Sequence, residues 1–272
     1  MQPEHDDVIV IRGGGDIATG VAWRLHHSGF RVVILELASP LTIRRSVSLS
    51  SAVTNGTQNV EGLVGRLCID REGIEKCWQS NEIPVVVAPA LCDLQITRPI
   101  AAVVDCRLAK TPLDTTISDA NIVIGLGPGF TVGEHCHAVV ETMRGHRLGR
   151  ALFTGSAEPN TGSPGMIEGR STERVIRAST HGDIKWSAAL GDWVEQGDAF
   201  GTIHSASNTT VTAPFSGMIR GLILDESTVY EGLKIADLDP RNDPSACSQI
   251  SDKALAIGGG VVEAVCRLSK LK

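Results

Sequence analysis

The chain has 272 residues, 42% of them hydrophobic but only 4% aromatic, with 29 glycines and a formal net charge of −6 at pH 7. That length supports a well-buried core in either one large or two ordinary domains, and two are expected here. The acid excess speaks against nucleic acid as a partner, because phosphate contacts need a basic face.

No apolar run approaches the roughly 20 residues needed to cross a bilayer. Met1 to Asp7 lacks the basic-then-apolar arrangement of a secretory signal. A cytoplasmic protein with no membrane partner is the expectation. The cysteines, Cys68, Cys77, Cys92, Cys106, Cys136, Cys247 and Cys266, are odd in number and contain no Cys-x-x-Cys pair. They read as reduced packing residues rather than a disulfide framework.

Val8 to Ile11 reads as a short apolar strand. It is followed by Arg12-Gly13-Gly14-Gly15-Asp16-Ile17-Ala18-Thr19-Gly20, a helical pattern through Ser28, and a second strand from Arg31 that ends at Glu36. In such a unit one glycine makes the turn and another lets backbone amides approach a pyrophosphate. Ala18 lets helix and strand pack closely, and the helix N-terminus faces the anion. Glu36 is placed to accept from a ribose diol and to repel a 2′-phosphate. The candidate cofactor-binding residues are Gly13, Gly14, Gly15, Asp16, Ile17, Ala18 and Glu36, joined by Gly127, Gly129 and Arg144. The alternative is a nucleotide-free scaffold whose glycines only make the turn.

A helix is expected over Arg71 to Ser80, with strands at Ile83 to Ala88, Ile100 to Val104 and Asn121 to Ile124. Cys92, Asp105-Cys106-Arg107 and the Gly125 to Phe130 turn follow these strand ends, where ligands of open parallel sheets sit. The stretch from Gly125 to Gly165 then crowds Gly127-Pro128-Gly129, His135-Cys136-His137, Glu141, Arg144, His146, Arg147, Arg150 and Asn160-Thr161-Gly162 together, which reads as the lining of a site. His137, Cys136 and Cys106 are the candidate catalytic residues, through proton transfer or as thiolates. His135 and His137 would share one face of a strand, but no stable metal site is expected, since no second ligand pair supports one.

Residues 178 to 203 and 213 to 238 match at an offset of 35, pairing Ala178 with Ala213, Gly182 with Gly217, Ile184 with Ile219, Val194 with Val229, Gly197 with Gly232 and Ile203 with Leu238. The pair resembles the two-fold barrel-sandwich of biotinyl and lipoyl domains. The turn joining the halves, Ser205 to Thr210, carries no lysine, so neither biotin nor lipoate is expected. An amphipathic helix from Ser251 to Leu271 closes the chain. The expected fold class is α/β, a Rossmann-like mostly parallel sheet domain (1–173) with an all-β barrel-sandwich domain (174–241), and a C-terminal helix (242–272) packing on the first domain.

Tyr230 to Lys234 matches the Tyr-x-x-x-Lys of short-chain dehydrogenases by letter only, since a Gly-turned strand repeat is no helix. In combination, Arg12 to Gly20, Gly127 to Phe130, Cys136 to Thr142, Arg144 to Arg150, Glu158 to Gly162 and Lys234 to Arg241 resemble the accessory proteins of selenium-dependent molybdenum hydroxylases, loosely akin to xanthine dehydrogenase accessory factors. The resemblance implies a maturation factor acting on the molybdenum cofactor or its selenium or sulfur ligand; joined to the glycine loop, it makes molybdenum pterin dinucleotide or NAD the expected ligand. Its implied partners are an apo molybdenum hydroxylase and a selenium or sulfur donor protein, and it leaves room for a homo-oligomer. The alternatives are an NAD-dependent oxidoreductase, which would need a catalytic dyad that is missing, and a non-catalytic docking scaffold.

Overall fold

A computed structural model describes residues 7–111, 113–162 and 166–270. The end of the Gly-rich stretch at Gly165 and the end of the last helix at Leu271 lie outside them. In chain order the elements are β1 (Val8–Arg12), α1 (Asp16–His27), β2 (Arg31–Glu36), α2 (Ala52–Asn55), β3 (Thr57–Val60), β4 (Leu63–Cys68), α3 (Arg71–Gln79), β5 (Ile83–Val87), β6 (Ile100–Asp105), β7 (Ile122–Leu126), β8 (Ala138–Val140) and β9 (Ala151–Leu152). Then follow β10 (Val175–Arg177), β11 (Gly182–Trp186), β12 (Trp193–Val194), β13 (Ala199–His204), β14 (Thr209–Thr212), β15 (Gly217–Leu222), β16 (Thr228–Val229), β17 (Lys234–Asp239), α4 (Ser245–Ser248) and α5 (Asp252–Ser269).

Two compact units emerge. The first takes the chain up to Pro40, Ser48–Thr161 and Ile250 onward; the second takes Leu41–Val47 and Gly162–Gln249. In the first, nine strands form one sheet in the order β3-β4-β5-β2-β1-β6-β7-β8-β9. β1 and β7 are buried along their whole length, as strands covered on both faces must be, and their Val/Ile-rich sequence reflects it. The chain leaves β1 toward β2 on one side and returns to β6 on the other, so the β1/β6 boundary is where strand order reverses. Side chains at the carboxyl ends of β1 and β6 flank the crevice that such a reversal opens.

Helix α5 packs along α1, and the fit is made by absent side chains. A Cβ on Gly20 would come within 2.6 Å of Ala254, one on Gly258 within 2.6 Å of the Gly20 carbonyl oxygen, and one on Gly260 within 2.0 Å of the Gly149 carbonyl oxygen. Ser251 caps α5, its hydroxyl accepting from Ala254 N at 3.2 Å.

The second unit holds two four-stranded antiparallel sheets, β10-β17-β15-β12 and β14-β13-β11-β16. The offset of 35 maps β11 onto β15, β12 onto β16 and β13 onto β17. Each sheet contains strands of both halves, around a shared core that includes Phe200, Phe215, Ile184, Ile219 and Val229. The segment 41–47 belongs here because Leu222 N donates to the Ile43 carbonyl at 3.0 Å and Arg45 Nε to that of Leu222 at 2.9 Å.

The expected fold class is corrected to a large mixed sheet plus antiparallel sheets. The first sheet is not simply the parallel array of a Rossmann-like domain, because β3/β4 and β8/β9 are antiparallel pairs at its two edges. For the second unit, a repeat in sequence specifies matching strands and turns. It does not by itself specify a biotinyl or lipoyl carrier barrel-sandwich, and that description is withdrawn.

Candidate functional site

Arg12 ends β1 and is buried, an arginine at 2% exposure, which requires partners for its charge. It donates to Thr115 Oγ1 at 2.7 Å and to Asp114 Oδ2 at 2.5 Å. Asp105, ending β6 beside it in register, accepts from Thr115 Oγ1 at 2.7 Å and from Arg107 Nε at 3.1 Å. Arg107 NH1 reaches Asp114 Oδ1 at 2.6 Å. Two arginines, two aspartates and a threonine thus close an electroneutral network that ties residues 107–115 to the strand ends. Burial pushes the Asp114 carboxyl up, but Arg12 and Arg107 outweigh it and bring it down to about 2.

The glycine turn lies next to this network. Gly13 has φ +87°, a left-handed conformation suited to glycine, and a Cβ there would meet Arg107 Cγ at 3.2 Å. Gly14 N donates to Glu36 Oε2 at 2.7 Å, and Leu37 N to Glu36 Oε1 at 2.8 Å. The space above Gly14 is closed by Ser50, whose amide donates to the Gly14 carbonyl at 2.8 Å. The approach allowed by Gly14 is therefore taken by the chain itself. Gly15 N-caps α1 without a side-chain cap, so the first-turn amides of Ile17 and Ala18 have no partner inside the helix. Burial raises the Glu36 carboxyl above the usual range, opposed by the Leu37 and Gly14 amides. Beside it, Leu37, the residue after β2, and Val87, which ends β5, are apolar and 44% and 41% exposed.

The segment after β8 meets the first turn of α5. Glu141 is fully buried; its Oε1 accepts from the amides of Thr142 and Met143, both at 2.7 Å, and its Oε2 from Glu158 N at 2.8 Å. Arg144 forks onto Asp252 at 2.9 and 3.2 Å, which commits it to α5 rather than to the crevice. Lys253 is partly buried among these groups. Burial depresses its pKa first and Arg144 adds to that, while Asp16, Glu141 and Asp252 pull the other way.

The remaining candidates stand apart from the glycine turn. Arg12, Asp105, Gly125 and Val139 share one register row across β1, β6, β7 and β8. His137 lies two residues before that row and three strands from β1, roughly 15 Å away by strand spacing. Its Nδ1 accepts from Val123 N at 3.0 Å. Cys136 is fully buried with Val123, Phe130 and Val139, and burial pushes its thiol up to about 11. Cys106 is buried as well, its thiol driven well above the ordinary value by burial and then by Asp105. Thiols so shifted are protonated and poorly nucleophilic near neutral pH. Gly127 and Gly129 turn the chain after β7 with φ +75° and +104°; Cβ atoms there would meet Thr142 Oγ1 at 2.5 Å and the Lys110 backbone at 3.0 Å. Among the described residues no group of three or more His, Cys, Asp or Glu side chains is gathered as a metal ion would need.

No protein-family model matches the chain. It is similar to "Uncharacterized protein YqeB" of Escherichia coli (strain K12), with 45% identity over 271 residues, 98% of this chain and 49% of that protein. The chain spans about half the length of the curated relative it matches. Among solved structures, likenesses include an aspartoacylase family protein from Mesorhizobium loti (TM-score 0.28, 14% identity, covering 85% of this chain and 84% of the other). They also include a succinylglutamate desuccinylase from Silicibacter sp. TM1040 (0.26, 12%, 85% and 84%) and the ectoine utilization protein EutE from Ruegeria pomeroyi (0.28, 9%, 85% and 86%). Scores this low carry no conclusion about what this chain does.

These findings correct the expected family. The relative is itself uncharacterised, and no name among these proteins mentions a molybdenum hydroxylase accessory factor or a biotinyl or lipoyl carrier. The resemblance to selenium-dependent hydroxylase accessory proteins is withdrawn, and with it the maturation role. Its alternatives, an NAD-dependent oxidoreductase and a docking scaffold, receive no support either. Among the described residues no helix is long and apolar enough to cross a membrane.

Two features of the site escaped the sequence reading. The Arg12, Asp105, Arg107, Asp114 and Thr115 network has a visible signal in an arginine ending an apolar strand, which must find anions when buried. The signal for Lys253 is its place in the first turn of a helix, where the backbone dipole disfavours a cation.

Proposed function

We propose that the first unit is a nucleotide-binding module that takes a dinucleotide of the NAD class at the carboxyl ends of β1 and β2. The observation that carries this reading is Glu36. Its two oxygens are fixed by the amides of Gly14 and Leu37, and each keeps a lone pair with which to accept from a ribose diol. Exposed Leu37 and Val87 beside it offer an apolar platform for a flat base.

In this reading Gly13 makes the turn, Gly14 holds Glu36, and Gly15 and Asp16 open α1 so that the amides of Ile17 and Ala18 meet the diphosphate with the favourable end of the helix dipole. Ligand contact is therefore expected one step further along the chain than the middle of the glycine run.

Isothermal titration of NAD, NADP and ADP tests the reading. NAD and ADP are expected to bind, and NADP to bind at least about tenfold more weakly because its 2′-phosphate meets Glu36. Glu36→Arg is expected to reverse that preference. Equal affinity for NAD and NADP, or no binding of any of the three at about 1 mM, would overturn it.

A further inference from the structure

Among the described residues Ile69 is the most exposed large apolar side chain, at 90%. It precedes Asp70, the N-cap of α3, whose Oδ1 accepts from Gly73 N at 2.7 Å. An apolar residue in that place ordinarily packs on the fourth residue of the helix. Here that residue, Ile74, is buried in a cluster with Leu35, Cys68 and Cys77, and Ile69 takes no part in it. Alternation along the strand explains the separation, because Cys68 ends β4 toward Ile74 and the next residue turns to the opposite face. The strand register gives that face its other members. Cys68 pairs with Val86, and Val87 with Glu36, so Ile69, Val87 and Glu36 stand level at the carboxyl ends of β4, β5 and β2, on one side of the sheet. Glu36 closes the row at the glycine turn through Gly14 N. From Glu36 to Ile69 is two strand spacings, roughly 10 Å.

We propose that Val87 and Ile69 form the base subsite of the nucleotide site, and that this subsite selects a purine. The inference rests on the nucleotide reading above and deepens it by naming the class of base. The strand order β1, β2, β5, β4 sets the direction. A nucleotide with its diphosphate toward β1 and its ribose on Glu36 carries its base outward, over Val87. A single pyrimidine ring ends there, whereas the fused rings of a purine continue along the row and cover Ile69. Contact with aliphatic side chains is favourable in proportion to the apolar surface taken from water. A purine therefore gains the Ile69 contact, and a pyrimidine does not.

Titration calorimetry with ADP and UDP tests the proposal on the wild type, Ile69→Ser and Ile69→Leu. A side chain this exposed is replaced without disturbing the fold. The wild type is expected to bind ADP at least about fivefold more tightly than UDP. Ile69→Ser should weaken ADP about fivefold and leave UDP within about twofold, so that the preference for the purine disappears. Ile69→Leu should keep it. Unchanged ADP affinity in Ile69→Ser, equal weakening of both nucleotides, or a wild type that holds UDP as tightly as ADP would each overturn the proposal while leaving the nucleotide site standing. A wild type that binds neither at about 1 mM removes the nucleotide site itself, and this inference with it.

Discussion

At the scale of single residues, burial decides which polar groups are available for chemistry. Cys136 and Cys106 sit in apolar surroundings that favour the thiol over the thiolate, whereas Cys92 and Cys266 are exposed. Native protein treated with iodoacetamide near neutral pH is expected to be modified at Cys92 and Cys266, and at Cys136 and Cys106 only after unfolding; rapid native labelling of Cys136 would contradict this assignment. The same shift links to stability. A thiol whose pKa rises from 9.0 to about 11 on folding contributes stability that is fully present below 9.0 and is lost as pH climbs through about 11. Little of this was legible in sequence. His-Cys-His looks reactive on paper, but whether such residues reach a crevice depends on the strand end at which they fall, and His137 falls before β8 rather than after it. The position of Glu36 at the end of β2 was legible, because the end of a second strand is a place and not merely a composition.

At the scale of elements, the β1-turn-α1-β2 unit lies where periodicity and glycine spacing predict it, since buried parallel strands read as unbroken Val/Ile runs. The β3/β4 hairpin did not announce itself. Its first strand, Thr57–Val60, is polar and mostly exposed at the sheet edge, and so lacks any apolar signal. For α5 the amphipathic pattern was plain, but the use of its glycines was visible only in the packing. Gly259 has nothing within 4 Å of where a Cβ would stand, whereas Gly260 would collide with the Gly149 carbonyl at 2.0 Å. Gly259→Ala is accordingly expected to stabilise by about 0.5–1 kcal/mol through helix propensity, and Gly260→Ala to destabilise by about 1–3 kcal/mol through overpacking. Denaturant unfolding of both variants checks this, and equal effects would show that α5 does not dock through its glycine face.

At the scale of the whole molecule, the offset of 35 residues foretold the strand plan of the second unit but not its membership. Leu41–Val47 joins it through main-chain hydrogen bonds that leave no mark in composition. The first unit is likewise assembled from distant pieces, with α5 packing along α1 through Gly20 and Gly258. The central claim is that Glu36 and the amino end of α1 together hold a dinucleotide, the first at a ribose and the second at the diphosphate. A crystal structure of the protein soaked with NAD tests it most directly. The expected density places the diphosphate within hydrogen-bonding distance of the Ile17 or Ala18 amide and the ribose hydroxyls on Glu36; a nucleotide seated elsewhere, with Glu36 and α1 untouched at saturating NAD, would contradict the account.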